Sequence, residues 1–202
     1  PEVRARGSTR TAMLVSAAEL LRERGAAGVT IDAVLARSGA PRGSVYHHFP
    51  SGRGQLLREA LEFAGDEITA KIDTAAGDSS SALLHQFVDM WRAALIDSDY
   101  TAGCPVLAAA IGSGQDEQQL ASLAAAIFAR WREAAKQAYL REGFEPGEAT
   151  ALADTAIAAM EGAVVLCRAA RSLEPLTDVA RQLEFLIKAK EFVARFPSPT
   201  PS

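Results

Sequence analysis

Between Thr30 and Phe49 the chain reads TIDAVLARSGAPRGSVYHHF, two short segments separated by a Ser-Gly-Ala-Pro break. Ile31, Val34 and Leu35 fall at helical spacing and give the first segment one apolar face. Thr30 is a suitable N-cap, Val29 and Val34 stand where a hydrophobic staple forms, and Asp32 in the first turn suits the helix dipole. Gly39 can take the positive φ that ends a helix, and Pro41 is pre-set for the first position of the next. In the second segment Val45 and Phe49 are four apart and are expected to point inward, leaving Gly43, Ser44, Tyr46 and His47 outside. Two helices joined by so short a glycine-containing turn form a helix-turn-helix, a shape whose second helix enters the major groove of DNA.

The rest of the chain is expected to be all-α. It is rich in alanine, has few alternating β-branched runs, and is 49 % hydrophobic, enough for a core. The apolar periods predict about nine helices. One runs from about Ser8 to Arg24, ahead of the motif. Others follow near 51–75, 82–96, 105–112, 117–142 and 146–171, and a last one to about Arg195 is capped by Thr177. Residues 1–8 read as a mobile arginine-bearing arm, with Arg4, Arg6 and Arg10 available for extra phosphate contact, and 197–202 as a disordered Pro/Ser tail. The functional division expected is a DNA-binding head at 1–50 and a larger body at 51–196.

Charge supports that division. The formal net charge is −4, but residues 1–55 hold eight arginines against four acidic residues, while residues 56–202 hold 13 bases against 21 acids. A basic head on an acidic body fits a DNA-binding end carried by a domain with another task. Arg42 can reach a guanine edge or a phosphate, Gly43 lets backbone approach the duplex, and Ser44, Tyr46 and His47 can donate to phosphates or bases. Thr30 can aim a helix N-terminus at a phosphate.

Gly39, the Gly43-Ser44-Val45-Tyr46 run, His48-Phe49 and Ser51-Gly52-Arg53 resemble the DNA-binding signature of the TetR family of bacterial repressors. The resemblance covers roughly residues 9–61. Tyr100 to Pro105, YTAGCP, is similar to a segment of the LmrA/YxaF-like subset. Pro41 departs from the pattern, standing where the family often has a capping Ser or Thr, and Arg53-Gly54 replaces a usual Lys-Glu pair. The family implies phosphate contacts from Tyr46, His47 and Arg53, a homodimer on a pseudo-palindromic operator, and a helical body that takes a small effector. Release of repression by that effector is the expected sign.

In the body, Phe87, Met90, Trp91, Phe128, Trp131, Met160 and Cys167 are core-forming residues, and helical bundles of this kind often leave an apolar cavity. Phe87, Trp91, Cys104, Phe128, Trp131, Met160 and Cys167 are therefore candidates for its wall, and a largely apolar ligand is expected. Cys104 before Pro105 is a reactive thiol or a small buried residue at a helix start. Ala156, Ala159, Ala163, Leu183, Leu186 and Ile187, on the last two helices, either complete the core or pair with a twin. The family implies the twin.

Other chemistry is missing. His47 and His48 are adjacent and diverge on a helix, His85 stands alone, and the two cysteines form no C-x-x-C pair, so no metal site is expected. No Ser-His-acid group, P-loop or G-x-G-x-x-G occurs, so neither an enzyme nor a cofactor is expected. Asp154, Glu161 and Arg168 interrupt the most apolar window, 151–170, which argues against a membrane span. No leader pattern stands at Pro1, and a cytoplasmic protein is expected. The rival readings are a helical small-molecule enzyme with an incidental helix-turn-helix, and a ligand-blind DNA-packaging protein.

Overall fold

The structure, a computed structural model, describes residues 2–112 and 117–195, with the side chains of 2–8, 117, 194 and 195 left aside. Among the described residues there are nine α-helices and no strand: α1 Glu2–Arg24, α2 Ile31–Ser38, α3 Ser44–His48, α4 Arg53–Asp78, α5 Ser80–Asp97, α6 Pro105–Ala110, α7 Glu117–Arg141, α8 Pro146–Ala170 and α9 Glu174–Arg195. The all-α architecture read from the periodicity is what is found.

Three starts differ from expectation. α1 begins at Glu2, so backbone expected to form a loose arm is helical; Glu, Arg and Ala at positions 2–6 are good helix formers. Pro41 lies in a turn ahead of α3 and is not its first residue, because Ser44 N–H bonds back to the Pro41 carbonyl at 2.9 Å. Thr177 does not cap α9, which starts three residues earlier; its hydroxyl donates to the Leu173 carbonyl at 3.2 Å. The tail at 197–202 lies outside the described residues.

The chain divides into two compact units, the first Pro1–Thr69 with Thr101–Phe128, the second Ala70–Tyr100 with Ala129–Ser202. This partition is not the functional one expected at residue 50, since α4 and α7 each contribute residues to both units. In the first unit α1 packs on α2 and α6. Met13, Ala17, Leu20 and Leu21 from α1, Val34, Val45, Phe49, then Leu56, Leu57 and Leu61 from α4 make a continuous buried core. Gly103 N–H to the Arg22 carbonyl, 2.9 Å, ties the segment before α6 to the end of α1. Gly65 on α4 lies against α7: a Cβ there would meet Ile127 Cδ1 at 2.6 Å, so only glycine fits without displacing that side chain.

The second unit packs α5, α8 and α9 together. The Ser79 hydroxyl caps α5, accepting from Ala82 N–H at 3.0 Å. Arg141 donates to the Ala76 carbonyl. The Leu84, Phe87, Val88, Trp91 and Leu95 stripe of α5 is buried as its spacing predicts. α8 has the length and hydropathy of a membrane-crossing helix. It nevertheless packs against both α5 and α9 and buries Glu161, and its apolar residues face two ways: Met160, Ala163, Val164 and Cys167 into the unit, Val165 and Leu166 outward.

Candidate nucleic-acid interface and internal cavity

The reading motif is built by local rules. Thr30 is extended (φ −100°), and its Oγ1 accepts from Ala33 N–H at 3.1 Å, which fixes the start of α2. Gly39 ends α2 in the left-handed region (φ 67°), with its N–H on the Leu35 carbonyl. The chain then turns through Pro41–Ser44, where the Ser44 hydroxyl also donates to the Pro41 carbonyl at 2.6 Å. Val45 and Phe49 are fully buried behind α3, while Tyr46 is 60 % exposed and His47 lies beside it in solvent. A Cβ on Gly43 would meet nothing, so this end of α3 offers bare backbone to a close approach.

Arg42, Arg37, Arg10 and Arg53 each have an observed placement. Arg42 forms an ion pair with Asp32 at 2.5 Å, both side chains about three-quarters or more exposed (81 % and 75 %). That pair sets the first turn of α2 against the turn before α3. Arg37 makes a two-pronged bond to Glu23 at 2.9 and 2.7 Å, pinning α2 to α1, and this bond pulls the Arg37 pKa up. Arg10 hydrogen-bonds Glu59 and stacks over the Phe49 ring at 5.2 Å, so it works inside the head. The side chains of Arg4 and Arg6 lie outside the described ones. Arg53, expected at a phosphate, points inward: Nε donates to the Val29 carbonyl at 2.7 Å and Nη2 to the Ala26 carbonyl at 2.6 Å. Those carbonyls flank the short turn Ala26–Gly28 that leads into α2. The pairing of Asp32 with Arg42 and these carbonyl partners escaped the sequence reading, because the spacing of residues within one helix does not reveal what meets it from another.

A cavity lies within the second unit, about 430 Å³ of space that includes open solvent at its mouth. Its wall includes Ile72 of α4, Ser80, Leu83, Leu84 and Phe87 of α5, Trp131, Ala135 and Tyr139 of α7, Ala156, Ile157 and Met160 of α8, and Leu183 and Ile187 of α9. Of the residues proposed from sequence, Phe87, Trp131 and Met160 come together on this wall. Trp91 and Cys167 are buried elsewhere in the same unit, and Cys104 and Phe128 belong to the first unit. Cys104 caps α6, its Sγ accepting from Leu107 N–H at 3.4 Å. Burial pushes the Cys167 thiol up, so it stays protonated.

Tyr139 and Ser80 were missed, although Tyr139 stands eight residues beyond Trp131 on one α7 stripe. Both side chains are 2 % exposed. Ser80 N–H donates to Glu142 Oε1 at 2.7 Å, and the Tyr139 ring meets Phe144 edge-on at 5.8 Å. Burial first, and the Glu142 charge second, push the Tyr139 phenol up to about 12.

The outer face of α8 and α9 corrects another expectation. Ala163, Leu183 and Ile187 are buried in their own chain and have no surface to offer a twin, and Ala156, half-buried, lines the cavity. Ala159 and Leu186 are half-buried. The exposed apolar residues lie on other faces of the same helices: Val165 and Leu166 on α8, Phe185, Phe192 and Val193 on α9.

Comparison with known proteins agrees with this geometry. The family model of the bacterial regulatory proteins, tetR family, matches residues 13–60, and that of the transcriptional regulator LmrA/YxaF-like C-terminal domain matches 81–182. An HTH-type transcriptional regulator of Mycobacterium tuberculosis is 44 % identical over 186 residues, covering 90 % of this chain and 95 % of its own. The HTH-type regulator YxaF of Bacillus subtilis is 25 % identical, covering 92 % and 98 %. A TetR transcriptional regulator from Chloroflexus aurantiacus superposes with a TM-score of 0.74 at 27 % identity, covering 92 % and 96 %. With a tetR-type head, an LmrA/YxaF-like body and a relative this similar along nearly its whole length, the chain belongs to the TetR family of transcriptional regulators.

Proposed function

We propose that the protein is a cytoplasmic repressor that binds a pseudo-palindromic operator as a homodimer and is released by a small, largely apolar effector. The observation that carries this reading is the two-sidedness of α3: Val45 and Phe49 anchor it from behind, and Tyr46 and His47 stand free in front. Tyr46, His47, Arg42 and the Gly43 backbone are the proposed contacts, with Thr30 at the N-terminus of α2 and Ser44 beside them. Arg53 serves instead by holding the loop before α2. One head reads few base pairs, whereas a two-fold pair reads two half-sites ~34 Å or a multiple apart. Val165, Leu166, Phe185 and Phe192 are the proposed pairing surface. The cavity is the proposed effector site, and its wall includes Ile72 on α4, the helix whose Leu57 and Leu61 sit in the core of the first unit. Coupling is then a difference in effector affinity between two states of α4, and it is reciprocal.

Selection of bound duplexes from a random library tests the reading. The expected product is an inverted repeat whose affinity falls on Arg42→Ala and His47→Ala while the melting temperature holds. A library with no enriched sequence, or unchanged affinity in both variants, refutes it.

A further inference from the structure

We propose that the cavity takes a neutral, apolar molecule carrying one hydrogen-bonding oxygen, of the alcohol or carbonyl class, and rejects carboxylates. The inference rests on the reading of this cavity as the effector site. Its wall is aliphatic and aromatic, with the hydroxyl-bearing residues Ser80 and Tyr139 among it. Both residues are almost wholly buried, and among the described residues neither hydroxyl has a hydrogen-bond partner in the protein. A hydroxyl left facing an apolar ligand stays unpaired, so an incoming oxygen that accepts from one and donates to the other, or accepts from both, is favoured over a wholly apolar molecule.

The same end of the cavity is hostile to an anion. No lysine, arginine or histidine lines it. The cation nearest in sequence, Arg141, is engaged with the Ala76 carbonyl. The local charge is a carboxylate, since Glu142 accepts from Ser80 N–H and acts on the Tyr139 phenol. An acid ligand would lose its water, find no counter-charge and meet a like charge. An alcohol or a ketone gives up less and gains two donors.

The test uses the full chain and three probes of one length, 1-octanol, octanoate and 1-chlorooctane, titrated at pH 7.5 by calorimetry. The expected result is that 1-octanol binds about tenfold or more tightly than octanoate. The double variant Tyr139→Phe, Ser80→Ala should weaken 1-octanol about tenfold and leave 1-chlorooctane unchanged. Octanoate binding within about threefold of 1-octanol, or a double variant that holds 1-octanol as before, overturns the proposal alone. Met160→Trp should abolish binding of 1-octanol and 1-chlorooctane by filling the cavity. Ala156→Leu, at a less buried position, gives the same readout should the tryptophan variant not fold. If no probe binds the wild type, or if the filling variants bind as well as it does, the cavity is not the effector site and both readings fall.

Discussion

Arg53→Ala separates two roles an arginine can have at the edge of a DNA-binding head. In the structure the guanidinium donates to Val29 and Ala26 carbonyls at 2.7 and 2.6 Å, with the side chain half-buried. Hydrogen bonds from a charged donor contribute ~1.5–3 kcal/mol each, and water at this half-open site reduces that, so the pair is worth about 2–3 kcal/mol. For a chain of this size each kcal/mol moves the midpoint by ~2–4 °C, so the melting temperature should fall by about 4–12 °C. Calorimetry measures that loss. Titration of the selected operator at several salt concentrations measures the other role. A phosphate contact contributes ~0.9 to the salt slope, hence about 1.8 in a dimer, and a purely positioning arginine contributes nothing. Arg53→Lys should recover only part of the stability, because an ammonium is a single point of charge and not a fork. An unchanged melting temperature together with a slope shallower by about 1.8 would refute the argument.

Other outcomes follow from the same structure. Asp32→Ala should tighten operator binding about 1.5- to 5-fold by releasing Arg42 from an exposed pair worth ~0.2–1 kcal/mol; weaker binding would show that Asp32 positions Arg42 and does not compete for it. Leu166→Asp with Phe185→Asp should give a helical monomer in sedimentation at micromolar concentration, since both side chains are more than half exposed (55 % and 69 %) and the fold does not need them; a persisting dimer rejects this surface. Tyr139 predicts a pH dependence. Its folded pKa of about 12 lies above the ordinary tyrosine value of 10.0, so the unfolded chain ionises first. Its contribution is fully present below about pH 10 and is lost as pH rises towards 12, about 3 kcal/mol in all. In denaturant titrations the wild type should therefore lose stability relative to Tyr139→Phe across that window, and parallel curves would sink the assignment.

Most of the helical pattern was legible because it is local. The stripes Leu84–Leu95 on α5 and Leu120–Trp131 on α7 repeat at 3.6 residues, and Gly25, Gly39 and Gly143, all at positive φ, mark ends as glycine does. The head was legible for the same reason, with Thr30, Val45 and Phe49 carrying its geometry in adjacent residues. The partners of Arg42 and Arg53 were hidden because they come from 10 or more residues away, across a turn. The outer face of α8 was hidden for another reason. Its apolar residues lie on both faces, with little contrast to show which meets its own core, and the choice of Ala163 took the buried side, where Val165 and Leu166 mark the outer. Tyr139 shows the opposite case: its period was visible, but one position away Ala138 satisfied it equally well.

The five residues of α3 are too few to hold a helical shape alone in water, where ~12–15 are marginal. Its conformation is imposed by Val45 and Phe49 on one side and by the turn at Pro41–Ser44 before it. The side chains at 46 and 47 are therefore interchangeable parts on a fixed mount. On the proposed contacts, exchanging those two residues changes the DNA sequence that is read without renegotiating how the molecule folds.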